Sequence, residues 1–253
     1  MDLIILSIYG IIAGVLAGIF GIGGGTIIVP AMMFFGFDIK NAIGISVMQM
    51  IFSSVYGSYL NLKAKLLNIK IAIFVALGGL CGAAFSGLIV DSLKPLYLEL
   101  SFILLCIYSL YKSIAKKKAA TNKANSKNPI IFLFIIGFIT GIFAISLGIG
   151  GGLIIVPAIS YALGLSTKQA VPISLFFVIF SSFSGFISLA AHNYVNYKEG
   201  IIVGIFSLIG VYFGVKLNKL ISPKVHKIAI IGLYVLVLIV MIKNVVFQYM
   251  LNG

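Results

Sequence analysis

The sequence GIGGGTIIVPA at residues 21–31 recurs as GIGGGLIIVPA at residues 148–158, with one difference in eleven positions. Downstream, residues 42–57 align with residues 170–185, and eight of these sixteen positions are identical. A shared apolar composition does not by itself place the same glycines and the same proline at the same spacing twice. The chain is therefore an internal duplication.

The duplication divides the chain into a first repeat at residues 1–111, a polar linker at residues 112–128 and a second repeat at residues 129–253. Upstream of each glycine motif, Gly-Ile-Phe at residues 18–20 matches Gly-Ile-Phe at residues 141–143. This match leaves four additional residues in the second half before its motif. We therefore expect the two halves to differ in length just before the motif.

The composition identifies an integral membrane protein. Of the 253 residues, 61% are hydrophobic and 9% are charged, and the mean hydropathy is +1.21, whereas soluble proteins carry about 25% charged residues. The net charge of +13 comes from lysines at the ends of apolar runs and in loops, where they contact lipid headgroups. These observations exclude a soluble enzyme and a secreted disulfide scaffold, and we expect the lipid bilayer, not nucleic acid, as the partner of the lysines.

Ten apolar segments are separated by clusters of Lys, Asn, Pro and Gly. They lie at residues 3–20, 26–37, 41–62, 70–90, 96–113, 129–147, 153–165, 169–192, 200–217 and 225–248. None alternates as a strand does, and helices satisfy their own backbone hydrogen bonds in lipid. The sequence thus predicts an all-α membrane protein of about ten transmembrane segments. Because each half has five segments, the second half enters the membrane inverted.

The distribution of lysines predicts the orientation. If all ten segments cross, 14 of the 18 lysines lie on one side, against 11 if the two short segments are re-entrant. Since lysine is enriched in cytoplasmic loops, the more uneven distribution favours ten crossings. We expect the chain to lie in the cell membrane. Ser126 in the central loop is then predicted to be cytoplasmic, and Gly253 external.

The glycine motif precedes a short segment in each half. The segments at residues 26–37 and 153–165 rise only about 18–20 Å as helices, too little to cross about 30 Å of hydrocarbon. The glycines are therefore predicted to be unwound chain at membrane depth, which is tolerated where it lines a cavity. A helix that starts there presents free N–H groups to an anion. The alternative is that the glycines allow close packing of helices.

The candidate substrate-binding residues come from the two motifs and from polar positions on the third and eighth segments. They are Gly23, Gly24, Gly25, Thr26, Ser46, Gln49, Ser53, Gly150, Gly151, Gly152, Ser174 and Ser181. A serine in a membrane helix can instead bond a carbonyl of its own helix, whereas the amide of Gln49 is harder to satisfy. His192, at the end of the eighth segment, is a gating or proton-handling residue or an interfacial histidine.

Ionisable residues are expected only at the ends of segments, where Asp38, Asp91, Glu99 and Glu199 lie. No arrangement of nucleophile, paired carboxylates or metal ligands is visible, so we expect no enzymatic activity, no cofactor and no metal. Without an intramembrane carboxylate, transport is predicted to be uncoupled. The membrane potential supplies about 2.3 kcal/mol per 100 mV for a monovalent anion that leaves a negative-inside cell.

The two GIGGGxIIVPA blocks, each followed by Ala-x-x-x-Ser and Ser-Ser-x-x-Gly, resemble the TauE/SafE family of membrane transporters, often called sulfite exporters. The resemblance covers residues 5–245. It implies transport, commonly outward, of a small anion such as sulfite, an organosulfonate or a related C2 compound. The second half departs from the first at Pro172, which replaces Gly44, and at Phe177, which replaces Gln49. We expect export by alternating access; the alternatives are an importer of a small carboxylate or other nutrient anion, and an anion channel.

Overall fold

The computed structural model describes residues 3–114 and 129–251, and these residues form helices without any strand. The helices are α1 (Leu3–Phe20), α2 (Gly25–Phe34), α3 (Ile39–Lys63), α4 (Ile69–Ala83), α5 (Ser86–Ser92), α6 (Pro95–Ile114), α7 (Pro129–Ser146), α8 (Gly152–Leu163), α9 (Thr167–Ala191), α10 (Tyr197–Leu220) and α11 (Pro223–Leu251). Seven spans in the described chain are long and apolar enough to cross a membrane, with α4 and α5 counted together. The prediction of a multi-pass helical membrane protein is confirmed.

Most predicted segment ends lie within about three residues of the helix ends, but one segment is divided in the structure. The segment expected at residues 70–90 is interrupted at Ala84 and Phe85, so it forms two helices, α4 and α5. The linker expected from residue 112 begins later, because α6 continues to Ile114. The rest of that linker, with Ser126, lies outside the described residues.

The first helix of each half packs against the fourth helix of the other half. Gly10 of α1 contacts Val203 of α10, and one turn later Gly14 contacts Ser207 so closely that a methyl group at Gly14 would overlap the Ser207 carbonyl. Small residues let membrane helices approach to this distance. The contacts advance together along both chains, so α1 and α10 run parallel.

The equivalent pair is α7 and α4. Gly78 of α4 contacts Phe134 of α7, and Gly82 contacts Phe138. These contacts also advance together, so α4 and α7 run parallel. The two halves are interlocked, because each supplies the packing partner of the other's first helix.

The long helices α3 and α9 fix the relative direction of the halves. Gly200 of α10 contacts Met48 of α3, and Gly204 contacts Phe52, so α3 runs parallel to α10 and therefore to α1. A short turn joins α3 to α4, which places the end of α3 and the start of α4 on the same face. The helix α4 therefore runs in the opposite direction.

The helix α9 follows the direction of α4. The Ser184 hydroxyl donates to the carbonyl of Leu80 at 2.7 Å, and the Ser188 hydroxyl donates to the carbonyl of Ala84 at 2.7 Å. Thus α4, α7 and α9 share one direction, and α1, α3 and α10 share the other. Equivalent helices of the two halves point in opposite directions, which is the geometry that an inverted repeat requires.

A lysine near the start of α3 and its equivalent in α9 each bind backbone carbonyls at the end of a neighbouring helix. Lys40 donates to the carbonyl of Asp91 at 3.1 Å, and Lys168 donates to the carbonyls of Lys219 at 2.8 Å and Ile221 at 3.1 Å. Lysine side chains satisfy the carbonyls at helix ends in this way. Because α3 and α9 run in opposite directions, the two lysine contacts lie on opposite faces of the membrane.

Tyr194 completes the contact made by Lys40. Its hydroxyl donates to Asp91 Oδ1 at 2.6 Å, and the Lys40 ammonium lies 5.2 Å from the centre of its ring. The hydrogen bond to the Asp91 carboxylate raises the pKa of Tyr194, because it stabilises the protonated phenol.

The structure corrects one part of the repeat alignment. Gly14 contacts Ser207 and Gly141 contacts Gly79, and Gly14 and Gly141 each precede their own motif by the same number of residues. The match of residues 18–20 with residues 141–143 is therefore wrong by one helical turn. The two halves therefore have the same number of residues between this glycine and the motif. The second half contains no insertion of four residues there.

Candidate functional site

Both glycine motifs are unwound, and they contain most of the left-handed residues of the described chain. The φ angle is +72° at Gly21, +74° at Gly23 and +84° at Gly24, and +64° at Gly148 and +71° at Gly150. Residues with a side chain rarely adopt these angles. The prediction of unwound chain before each short helix is confirmed.

The helix α2 starts at Gly25 without a cap. Gly24, in a left-handed conformation, offers no side-chain hydrogen bond to the first turn. Within the part of the chain that the structure describes, no acceptor is recorded for the N–H groups of Gly25 and Thr26. Gly151, the equivalent N-cap of α8, has a right-handed conformation with φ −64° and also lacks a side-chain hydrogen bond. Free N–H groups at a helix start carry a partial positive charge.

One serine on each of the long helices α3 and α9 bonds the glycine motif of the opposite half. The Ser46 hydroxyl donates to the carbonyl of Gly148 at 2.6 Å, and the Ser174 hydroxyl donates to the carbonyl of Gly21 at 2.8 Å. Each serine is the eighth residue of its helix, about 10 Å from the helix start. A methyl group at Gly25 would also overlap the Ser46 hydroxyl. Since α3 and α9 start at opposite ends of the molecule, the chain between Gly21 and Gly25 lies in its central region.

The two motifs are in direct contact. A methyl group at Gly25 would overlap the Gly148 carbonyl, and one at Gly152 would overlap the backbone of the first motif. The Thr26 hydroxyl donates to the carbonyl of Ile149 at 3.3 Å. All these residues are buried. The structure is therefore a closed conformation, in which the motifs leave no space for a ligand between them.

Gln49 lies at the centre of this closed site without a partner. Its side chain is 0% exposed, and neither Nε2 nor Oε1 contacts a hydrogen-bonding atom among the described residues. A methyl group at Gly24 would lie 3.0 Å from both amide atoms. Gln49 is the eleventh residue of α3, about 15 Å from its start and so near the bilayer midplane. A buried amide without a partner costs free energy, and such groups are rare in native proteins.

Phe177 occupies the equivalent position in the second half. Its ring lies against Gly151 and Gly79 so closely that a methyl group on either glycine would overlap it. An aromatic ring offers no hydrogen-bonding group to an anion. The site at the centre is therefore polar on the side of the first motif and apolar on the side of the second.

The remaining predicted residues divide into two groups. Ser53 joins the site, since its hydroxyl donates to the carbonyl of Gly23 at 3.2 Å. Ser181 bonds only carbonyls of its own helix. His192 lies at the end of α9 against α5, with Nδ1 2.8 Å from the carbonyl of Ser188, and not among the glycines.

Two buried ionisable residues were not anticipated. Glu99 lies near the start of α6, as expected, but it is 0% exposed, and its carboxylate oxygens have no partner among the described residues. His226 is also buried, and its Nε2 donates to the carbonyl of Ile19 at 2.9 Å. The local sequence pattern does not distinguish these two positions, because their burial comes from packing against helices that are distant in the chain, as with His226 and Ile19.

Two interlocked, oppositely directed halves with broken helices that meet at the centre of the molecule are typical of membrane transporters. The chain belongs to the sulfite exporter TauE/SafE family, which matches residues 6–241. A probable membrane transporter protein of Methanocaldococcus jannaschii is 30% identical over 87% of this chain and 88% of its own length. The probable membrane transporter protein YunE of Bacillus subtilis is 26% identical over 98% of both chains. No solved structure matches the chain. The protein is a membrane transporter.

Proposed function

We propose that this transporter exports a small anion, such as sulfite, an organosulfonate or a related C2 compound, by alternating access. The observation that carries the proposal is the unpaired, fully buried amide of Gln49 beside the uncapped start of α2. The family description names sulfite export, which supports the choice of substrate class and direction.

The chemistry of the site suits an anion. The N–H groups of Gly25 and Thr26 and the amide of Gln49 are donors in a buried, low-dielectric setting, and the start of α2 adds the positive end of its dipole. Hydrogen bonds from such donors to an ionised oxygen are stronger than neutral ones. Since Phe177 faces Gly151 in the second half, the anion binds to the first motif, and the second forms an apolar wall.

Binding requires the closed conformation to open. The contacts that hold the motifs together are the hydrogen bonds of Ser46 to Gly148 and of Ser174 to Gly21. Because these contacts lie toward opposite faces, breaking them in turn exposes the centre first to one side and then to the other. This exchange is the alternating access that inverted repeats perform.

The orientation follows from the distribution of lysines. We place the central loop in the cytoplasm and the chain in the cell membrane, because this arrangement puts most lysines on the inner side. Lys40 then lies at the outer face and Lys168 at the inner face.

The test is a thermal-shift screen of the purified protein against sulfite, sulfate, thiosulfate, sulfoacetate and lactate, followed by counterflow in proteoliposomes. We expect stabilisation by sulfite or sulfoacetate and accelerated exchange of that anion. Stabilisation by lactate alone would favour the carboxylate importer. Conductance without counterflow would show an anion channel and refute the carrier mechanism.

A further inference from the structure

The side chain of Glu99 has no role in the anion site, yet it is buried in a helix that crosses the membrane. It is the fifth residue of α6 and is fully inaccessible, and both carboxylate oxygens lack a partner within the described residues. An ionised carboxylate without a cation or hydrogen-bond donor is very costly in a low-dielectric interior. In this closed conformation Glu99 therefore holds a proton.

Among the described side chains of the neighbouring helices, no basic group pairs with Glu99. The helix α6 packs against α11, α8 and α3. Lys40 of α3 is directed to the carbonyl of Asp91, and Lys243 of α11 lies over the ring of Phe34, while α8 carries no charged residue. The other titratable side chains of α3 and α11 that the structure describes, none of which bonds Glu99, are Tyr56, Tyr59, Lys63, Lys224, His226, Lys227 and Tyr234.

The position of Glu99 gives it access to protons when the helices move. It lies about 6 Å along α6 from Pro95, and α6 begins at a membrane face immediately after Lys94. A small displacement of the start of α6 therefore connects the carboxyl group to water. Ionisable residues within transmembrane segments commonly belong to substrate pathways or proton relays.

The helix α6 is also connected to the second glycine motif. The Ser109 hydroxyl donates to the carbonyl of Leu105 in its own helix at 2.8 Å, and it also lies 3.4 Å from the carbonyl of Leu153 in the first turn of α8. Movement of α8 during opening of the motifs will therefore act on α6. We propose that Glu99 is the proton-coupling residue of this transporter: it takes a proton from the face where α6 begins and, when the motifs open to the other side, releases it through the opened centre. One proton then moves opposite to the anion in each cycle.

This inference rests on the proposed anion transport and replaces the expectation of uncoupled export, whose premise was that no carboxylate lies in the membrane. The assay uses proteoliposomes with the potential clamped at zero and a trapped pH-sensitive dye. Sulfite, sulfoacetate and sulfate are the probes, each in a separate experiment. Wild-type protein is expected to move anion against its gradient when a pH difference is imposed, with proton movement in the opposite direction.

The decisive variant is Glu99→Gln, which keeps the shape of the neutral acid. We expect it to lose at least tenfold of the pH-driven flux and its proton movement, while exchange of anion at equal pH persists. Glu199→Gln, an acidic residue in the first turn of α10, is the matched control and is expected to behave as wild type. If Glu99→Gln keeps its pH-driven flux, or if wild-type flux does not depend on the pH difference, the role of Glu99 is refuted and the proposed anion transport is not affected. Absence of transport of all three probes by wild type would overturn the proposed function as well.

Discussion

The replacement Gln49→Leu is expected to make the protein more stable and to impair its binding of anion. In the closed conformation both amide atoms of Gln49 are buried without a partner. A buried polar group left unsatisfied costs about 1–3 kcal/mol. Leucine has a similar volume and no polar atoms, so the variant should gain stability of this order in the absence of anion.

The same change removes a donor from the proposed site. A hydrogen bond to a charged group contributes about 1.5–3 kcal/mol, which corresponds to a loss in affinity of about tenfold to a hundredfold. Stability and binding therefore change in opposite directions, which a general disturbance of the fold does not produce.

The measurements are thermal unfolding in detergent and titration with the anion that stabilises the wild type. Each kcal/mol shifts the midpoint by about 2–4 °C in a chain of this size. The matched control is Asn61→Leu, a buried amide on the same helix that already donates to the carbonyl of Gly57 at 2.8 Å, for which we expect lower stability and unchanged binding. If Gln49→Leu lowers the midpoint, or binds the anion as the wild type does, the assignment of Gln49 to the site is refuted.

Three further predictions concern the contacts between the halves, the orientation and one titrating group. Ser46→Ala removes the hydrogen bond to the opposite motif and is expected to lower stability by about 1–3 kcal/mol, whereas Ser54→Ala, next to the site but bonded only within its own helix, should change it little; equal thermal midpoints would refute the difference. The variants Lys65→Cys and Lys94→Cys should react with an impermeant thiol reagent from opposite sides of the membrane. We expect Lys94→Cys to react from outside intact cells. Labelling of Lys65→Cys from outside would show the reverse orientation. Because its pKa is raised, Tyr194 contributes stability that is present below about pH 10, the ordinary pKa of tyrosine, and is lost as pH rises through the folded value. Tyr194→Phe should make this alkaline decrease smaller, and a decrease of unchanged size would assign it to other groups.

The features that sequence could predict are those set by local pattern. Ten apolar runs without alternation specify helices, and three adjacent glycines before a short apolar run specify unwound chain. Gln49 could be singled out because a glutamine amide has few ways to be satisfied within its own helix. Local chemistry is enough for each of these conclusions.

Partners distant in sequence could not be predicted. Nothing in the spacing of Ser46 indicates that its hydroxyl bonds Gly148, more than a hundred residues away. The alignment of Gly18 with Gly141 failed because glycines recur at each turn of these helices, so a shift of one turn preserves the match, and only the contact of Gly141 with Gly79 resolves it. The burial of Glu99 was missed because acidic residues near the end of an apolar run were assumed to be exposed at the interface.

The packing of α1 against α10 has a consequence for the biosynthesis of the protein. Gly10 and Val203 touch in the folded chain, but about 190 residues of translation separate them. At about 5–20 residues per second, the ribosome needs roughly 10–40 s to complete the partner helix after α1 has emerged. During that interval the glycine face of α1 has no native partner, so the insertion machinery or surrounding lipid must cover it. The first half therefore cannot complete its tertiary structure until most of the second half has entered the membrane.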